Sequence, residues 1–136
     1  MKKYCLFIVV LCLSLCGCSK KNALEGKWET VALIKDGQEQ ELYKSYINFE
    51  ASGVMYDVKG LAGFNLFTVY VQDNGKSIEA YGMQNTGFMG TANEMEYEDM
   101  FFDSFLNSDS YEIKKDVLYF YNSKKNLELR LQKQAE

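Results

Sequence analysis

Four cysteines are the residues of this 136-residue chain best suited to chemistry, and all lie within its first eighteen residues: Cys5, Cys12, Cys16 and Cys18. The chain has no histidine, which excludes a Ser-His-Asp or Cys-His nucleophilic site and a histidine-ligated zinc. Beyond Cys18 the chain can form neither an intramolecular disulfide nor a Cys₄ metal site. We therefore predict no catalytic residue, no metal ligand and no cofactor, and expect that the protein is not an enzyme.

A second set of reactive side chains is acidic, since Glu94, Glu96, Glu98 and Asp99 crowd one short segment. Two such carboxylates could act as the acid and base of a glycosidase. The same acids would also complement the dipole at the start of a helix. Because no sequence feature indicates a carboxyl group of raised pKa, we interpret them as helix-start and solubilising charges.

The cysteines lie in an N-terminal segment with the layout of a signal peptide. Lys2 and Lys3 precede an apolar run over residues 4–15, which is shorter than the roughly 20 residues that a membrane-spanning helix needs. The run ends in Leu-Cys-Gly-Cys at residues 15–18, which resembles a bacterial lipobox. The resemblance implies cleavage before Cys18 and its lipidation with diacylglycerol and an N-acyl chain such as palmitate. Cys16 departs from the usual small residue, and an ordinary secretory signal is the alternative.

Lipidation at Cys18 would anchor the mature protein to a membrane, because two or more acyl chains bind a bilayer stably. We predict a signal peptide over residues 1–17 and a lipidated anchor and tether over residues 18–23. Ser19, where Asp would favour retention at the inner membrane, favours the outer membrane by analogy with Gram-negative lipoprotein sorting. We therefore expect a cell-envelope location, at the outer membrane and facing the periplasm.

The charge of the mature chain argues against nucleic acid as a partner. Two of the 15 basic residues and none of the 19 acidic ones lie in residues 1–17, which leaves a net charge of about −6 after cleavage. A nucleic-acid backbone requires clustered Lys and Arg. The expected partners are the membrane, through the N-terminal lipid, and either a small apolar ligand or an envelope protein. We expect the domain to be monomeric.

The rest of the chain alternates β-like segments with turn signals. Turns are predicted at Asp36-Gly37, at Ala51-Ser52-Gly53 and at Asp73-Asn74-Gly75, the last as a two-residue hairpin. The predicted strands cover residues 27–34, 46–50, 54–58, 66–71, 77–81, 111–113, 117–121 and 127–131.

One segment has helical periodicity instead. Apolar residues between residues 93 and 106 recur at spacings of three, four and seven, and Thr91 with Glu94 matches a capping box. We therefore predict an α+β fold, in which an antiparallel β-sheet or cracked barrel of about eight strands packs on one helix at about residues 93–106.

Several short motifs, taken in order, resemble the META domain, the HslJ-like family of bacterial lipoproteins. Gly60, Gly63, Asn65 and Phe67 match a G-x-x-G-x-N-x-F pattern, with Tyr70 three residues further on. The segment 86–91 matches the family's threonine-led segment. The remaining matches are Leu24, Gly26, Trp28, residues 47–49, Thr86, Glu98, Phe102, Asp116, Leu118 and residues 127–131. The resemblance covers about residues 24–132, and we assign the domain to residues 24–133.

From the residues alone, these motif positions are folding features: glycines that allow close approach and an Asn that can bond a turn. The alternative is that they shape a ligand groove. The family often has cysteine where this chain has Phe64 and Gly90. If those cysteines pair in relatives, a Phe64 ring opposite Gly90 could fill the same space here. With a core ring, Phe64→Ala would cost about 3–5 kcal/mol.

The resemblance implies a non-enzymatic envelope lipoprotein that acts through binding or interaction. It also implies a link to stress, because heat-inducible expression and an effect on antibiotic tolerance belong to some relatives. The alternative is a lipocalin-like lipoprotein that binds a small molecule or lipid, since Gly26-Lys27-Trp28 forms a G-x-W tripeptide. An interior filled with side chains would argue against that alternative.

Overall fold

The computed structural model describes residues 22–135. The predicted signal peptide (1–17) and the predicted lipidation site Cys18 lie outside these residues. Within them, no helix combines the length and the apolar character needed to cross a membrane. The elements are β1 (Gly26–Lys35), β2 (Gln38–Glu39), β3 (Ser45–Ser52), β4 (Met55–Ala62), β5 (Asn65–Asp73), β6 (Ile78–Asn85), α1 (Ala92–Phe105), β7 (Ser110–Lys114), β8 (Val117–Asn122), a 3₁₀ turn (Ser123–Lys125) and β9 (Leu127–Lys133).

The strands form one antiparallel sheet in the order β6-β5-β4-β3-β1-β9-β8-β7, and the two-residue β2 pairs with the end of β1. The sheet curls so that its two ends approach each other. At this seam the backbone N–H of Tyr111 on β7 donates to the carbonyl of Lys76 in the β5–β6 loop, at 2.9 Å. The α+β prediction of about eight strands and one helix is confirmed.

Alternating side chains divide the sheet into a buried concave face and a wetter convex face. Every second residue of β5 is buried, from Asn65 to Val71, and the residues between them are exposed. The same alternation in β9 buries its three leucines. Because successive side chains of a strand point to opposite faces, this pattern fixes which face carries the core.

Helix α1 closes the concave face with aromatic side chains. Tyr97, Phe101 and Phe105 are all at most 1% exposed. The Phe105 ring packs edge-on against Phe49 and Phe120, at centroid distances of 6.0 and 5.2 Å. The space between the helix and the sheet is therefore filled with side chains.

The helix begins as the sequence predicts, with one difference in its cap. The Thr91 hydroxyl accepts the backbone N–H of Glu94 at 3.3 Å, which satisfies one free donor of the first turn. A full capping box would return the Glu94 carboxylate to the Thr91 N–H. Here the carboxylate instead accepts the Thr91 hydroxyl at 3.0 Å, so the two side chains bond each other.

Two turns differ from the sequence prediction. The β3–β4 turn consists of Gly53 and Val54, whereas the sequence predicts it at residues 51–53, because Ser52 still belongs to β3 and pairs with Met55. The β5–β6 connection is four residues long rather than two, since Asp73 pairs with Ile78. The Asp73 carboxylate accepts the N–H of Gly75 at 2.8 Å, so the side chain stabilises the longer loop.

The first described residues close one end of the curled sheet. Leu24 is fully buried, and its carbonyl accepts the indole N–H of Trp28 at 2.8 Å. Trp28 is itself 1% exposed, so its single polar atom is satisfied inside the core. The chain is therefore fixed within a few residues of Asn22.

Candidate functional site

Asn65, at the start of β5, lies at the centre of a group that we call the Asn65 junction: Asn65, Thr86, Phe88 and Glu98. The Asn65 amide NH₂ donates to the Phe88 carbonyl at 3.0 Å and to the Glu98 carboxylate at 2.8 Å. Its carbonyl oxygen accepts the Thr86 hydroxyl at 2.7 Å and the Phe88 N–H at 2.8 Å. A primary amide has two donors and two acceptor sites, so the buried side chain is saturated.

The junction joins three parts of the chain. Asn65 belongs to β5, Glu98 to α1, and Thr86 and Phe88 to the connection between β6 and α1, which we call loop 86–91. The backbone N–H of Thr86 also donates to the Leu66 carbonyl at 3.0 Å. One side chain therefore sets the position of the helix relative to the sheet and the path of the loop between them.

Gly60 and Phe67 form the apolar floor beside the junction. They face each other across β4 and β5, and a Cβ at position 60 would overlap both the Phe67 ring and the Tyr46 carbonyl. Glycine thus admits the ring, which packs edge-on against Phe102 at a centroid distance of 5.2 Å. These three motif residues are packing residues.

Gly63 has a turn role, since it lies between β4 and β5 with a φ of +81°. An L side chain rarely adopts that conformation.

A buried hydrogen bond lies next to Gly63. The Tyr97 hydroxyl is 2.5 Å from the Ser45 hydroxyl, and Ser45 donates to Thr30 at 2.8 Å. Burial raises the pKa of Tyr97, while its bonds to Ser45 and Thr30 act in the opposite direction.

The Phe64 ring lies where the sequence analysis placed it. An ideal Cβ at Gly90 would lie 3.1 Å from the ring, so these two positions face each other. The ring is only half-buried, however. It covers the end of loop 86–91 at the surface and is not a core side chain, so the expected loss of 3–5 kcal/mol for its removal is too high.

Tyr70 is the motif residue that lies outside this group. It projects from the convex face of β5, where it pairs with Tyr81 across the strands and is 54% exposed. The structure therefore brings Gly60, Gly63, Asn65, Phe67, Thr86, Glu98 and Phe102 together and leaves Tyr70 apart.

A second candidate region is an open groove of about 880 Å³, the polar groove, between the N-terminal turn, the β5–β6 loop and β7. The Tyr111 hydroxyl donates to the Asp73 carboxylate at 2.6 Å, and the Tyr121 hydroxyl donates to Glu112 at 2.7 Å. Burial and these carboxylates raise the pKa of both tyrosines well above the usual value. The bond from Tyr121 lowers the pKa of Glu112.

Hydrogen bonds hold two carboxylates in and beside the polar groove in their ionised form. Glu112 in the polar groove, and Asp109 next to the 3₁₀ turn, have lowered pKa values because hydrogen-bond donors stabilise their anions. A general acid would need a raised value. Glu98 accepts a bond from a neutral amide and holds the loop. Residues 22–135 contain no group of three or more Asp, Glu or Cys side chains placed to hold a metal ion.

Sequence reasoning missed Phe88 as part of the site. Its backbone is bonded to Asn65 on both sides, yet its side chain is 69% exposed and that of Met89 is 85% exposed. The available signal was two consecutive large apolar residues between Gly87 and Gly90 in an otherwise polar connection.

Comparisons with known proteins identify the family and the fold. The family model described as META domain matches residues 21–135. A search of curated proteins gives no match. A solved structure described as the NMR structure of the protein from Burkholderia xenovorans is similar with a TM-score of 0.65 and 11% identity, over 82% of this chain and 83% of that one. At this identity the likeness supports the fold alone. Because the family model spans most of the sequence, the chain belongs to the META domain family, which is known from HslJ-like proteins.

Proposed function

We propose that this protein is a non-enzymatic lipoprotein of the bacterial cell envelope that acts by contacting another protein. The observation that carries the proposal is the Asn65 junction. Its motif side chains bond one another and leave no polar group of Asn65 for a substrate, while they hold an apolar loop at the surface. A rigid framework that presents an exposed loop is the arrangement of a binding domain.

The anchoring part of the proposal rests on the lipobox-like residues 15–18 and on the short apolar run before them. We infer lipidation at Cys18 from that segment, and a location at the outer membrane, facing the periplasm, from Ser19 directly after it. The stress-related role rests on the resemblance to HslJ. We expect transcript levels to rise after heat shock, and unchanged levels would remove this part.

The filled interior favours protein contact over the lipocalin-like alternative. A lipid or small apolar molecule would need a hollow under α1, and that space holds the rings of Tyr97, Phe101 and Phe105. Emptying it would cost several kcal/mol per ring. Native mass spectrometry of the detergent-solubilised protein tests this point, and a stoichiometric co-purified apolar ligand would reverse the preference.

Two measurements test the main proposal. Intact-mass analysis of the membrane fraction should find a lipid-modified chain that begins at Cys18, and a Cys18→Ala variant should lack the modification. A lysine-reactive crosslinker applied to intact cells should join the protein to a specific envelope protein. An unmodified N-terminus contradicts the anchor, and the lack of any protein adduct contradicts the contact function.

A further inference from the structure

Phe88 and Met89, which we call the apolar tip, are consecutive large apolar side chains exposed on loop 86–91. Their exposed fractions are 69% and 85%, higher than the 53% of Leu66, whose carbonyl accepts the Thr86 N–H. Single exposed apolar residues are ordinary, but phenylalanine and methionine are enriched at the centres of protein interfaces. The tip therefore has the composition of a contact point.

The backbone under the tip is fixed before any partner arrives. Asn65 holds both the N–H and the carbonyl of Phe88, at 2.8 and 3.0 Å. Gly90 lies over the Phe64 ring, and Thr91 caps α1 directly after it. A loop that is already ordered loses less entropy on binding, so its apolar contacts contribute more to affinity.

The surroundings of the tip are acidic. From Thr86 to Phe105 the chain carries Glu94, Glu96, Glu98, Asp99 and Asp103 and no lysine or arginine. Glu94 adjoins Gly90 in the loop and Glu98 accepts a bond from Asn65 beneath Phe88, whereas Asp103, at the far end of α1, pairs with Lys125 at 2.8 Å. Such a surface favours a basic partner and repels anionic lipid headgroups.

The tip lies far from the point where the chain enters the domain. Asn65 contacts the tip at one end of β5, and Asp73 at the other end lines the polar groove with Asn22 and Ala23. A nine-residue strand spans about 27 Å between its ends. A domain held to a membrane through residues before Asn22 would therefore carry the tip on its opposite side.

From these observations we infer that the apolar tip is the docking point for a protein partner that offers an apolar pocket edged with lysine or arginine. This inference rests on the proposed contact function and names its surface and its chemistry. The apolar side chains supply affinity, and the acidic helix start selects the partner and speeds its approach.

The test uses the full chain in intact cells, with a photo-crosslinking amino acid at position 88, 89 or 54. Val54 is the matched control, because it is apolar and 93% exposed. It lies in the β3–β4 turn, at the end of β4 opposite to the end that pairs with Asn65. We expect a specific protein adduct from positions 88 and 89 and none from position 54. Mass spectrometry identifies the adduct, and that protein is then purified.

Binding of the purified partner measures the two contributions. Phe88→Ser with Met89→Ser should weaken affinity at least about tenfold, and Val54→Ser should change it less than about twofold. Glu94→Gln removes the charge next to Gly90 and keeps an acceptor for the Thr91 hydroxyl, and it should weaken affinity and reduce its dependence on salt. Far-UV circular dichroism of each variant checks that the fold is retained.

Three outcomes overturn the inference: adducts with lipid only, adducts with a second copy of this chain, or equal labelling from position 54. If the lysine-reactive crosslinker captures a partner while positions 88 and 89 do not, the contact function stands and this surface is wrong. If neither reagent yields a protein adduct, both proposals fail.

Discussion

The Asn65 junction and the polar groove differ in how many hydrogen bonds meet on one side chain. The junction saturates one buried amide with four bonds that join β5, α1 and loop 86–91. The groove relies on single tyrosine–carboxylate bonds, in which Tyr111 reaches Asp73 across the open seam of the sheet. Four bonds that meet on one side chain that is 2% exposed are lost together when it is removed, whereas each tyrosine–carboxylate bond stands alone at the rim of an open groove. The comparison indicates that the helix end is rigid and that the seam is the weaker boundary.

The largest expected effect lies in the floor of the junction. Phe67→Ala should lower the free energy of unfolding by about 3–5 kcal/mol, because it removes a buried ring against three others and leaves a cavity. Urea denaturation measures the loss. Tyr70→Ala, on the exposed face of the same strand, is the control and should cost less than about 1 kcal/mol. Equal losses would contradict the assignment of the two faces.

The next effect concerns the amide itself. Asn65→Ala should cost about 2–3 kcal/mol, because it leaves the N–H and carbonyl of Phe88 and the Glu98 carboxylate without this partner. Hydrogen exchange should show faster opening of loop 86–91 than of the central strands.

The control variants for Asn65→Ala change the charge at position 65 or at position 98 and keep a hydrogen-bonding side chain there. Glu98→Gln keeps an acceptor for the amide and should cost less than about 1 kcal/mol. Asn65→Asp places a second carboxylate against Glu98 and should destabilise the protein at neutral pH, and the added Glu98→Gln change should relieve part of that loss. A loss that is the same with and without Glu98→Gln would show that the two side chains do not interact.

A smaller effect is expected at the surface of the junction. Phe64→Ala should cost about 1–2 kcal/mol, because the ring is half-buried against Gly90. Replacing both Phe64 and Gly90 by cysteine sharpens the comparison. If the positions are as close as the ring contact indicates, oxidation should link them and raise stability by about 2–4 kcal/mol over the reduced form. An oxidised sample that keeps two free thiols would contradict this.

The smallest effect belongs to the seam. Tyr111→Phe should cost about 1 kcal/mol, because it removes the bond to Asp73 while the ring stays in place. Burial and the Asp73 carboxylate raise the pKa of Tyr111 in the folded state. Its contribution is therefore present below about pH 10, where the unfolded tyrosine is neutral, and is lost as the pH rises further.

Alkaline denaturation measures this difference between the wild type and Tyr111→Phe. The gap in stability should narrow above about pH 10. Tyr70→Phe, on the exposed convex face, is the control for loss of a hydroxyl and should change the stability at neutral pH by less than about 0.5 kcal/mol. If the seam variant costs as much as Asn65→Ala, the contrast between the two regions is wrong.

The order and type of the elements follow from local sequence, but the reach of several elements does not. The strict alternation of apolar residues in β9 and their helical spacing in α1 predict residues 127–131 and 93–106. Both ranges lie within two residues of the observed bounds. Strand β4 runs on to Ala62, past the predicted end at residue 58, because Gly60 pairs with Phe67 and admits its ring. That requirement depends on a contact with a neighbouring strand and on a helix far along the chain.

The candidate site divides in the same way. The motif residues are visible in the sequence, and most of them meet in the structure. The target of the Asn65 amide is a loop more than twenty residues away, and the same amide could equally have closed its own turn. The residue type of Phe88 does not predict its exposure, since a phenylalanine next to an amphipathic helix is ordinarily a core residue.

The closed N-terminal turn has a mechanical consequence. The hydrogen bond between Trp28 and Leu24 fixes the chain at the start of β1, and β1 lies in the middle of the sheet between β3 and β9. A pulling force applied at the N-terminus therefore enters the domain along the axis of a central strand. The hydrogen bonds on both sides of β1 then share the force in shear and do not peel apart one by one, so a domain tethered at this end resists unfolding by tension.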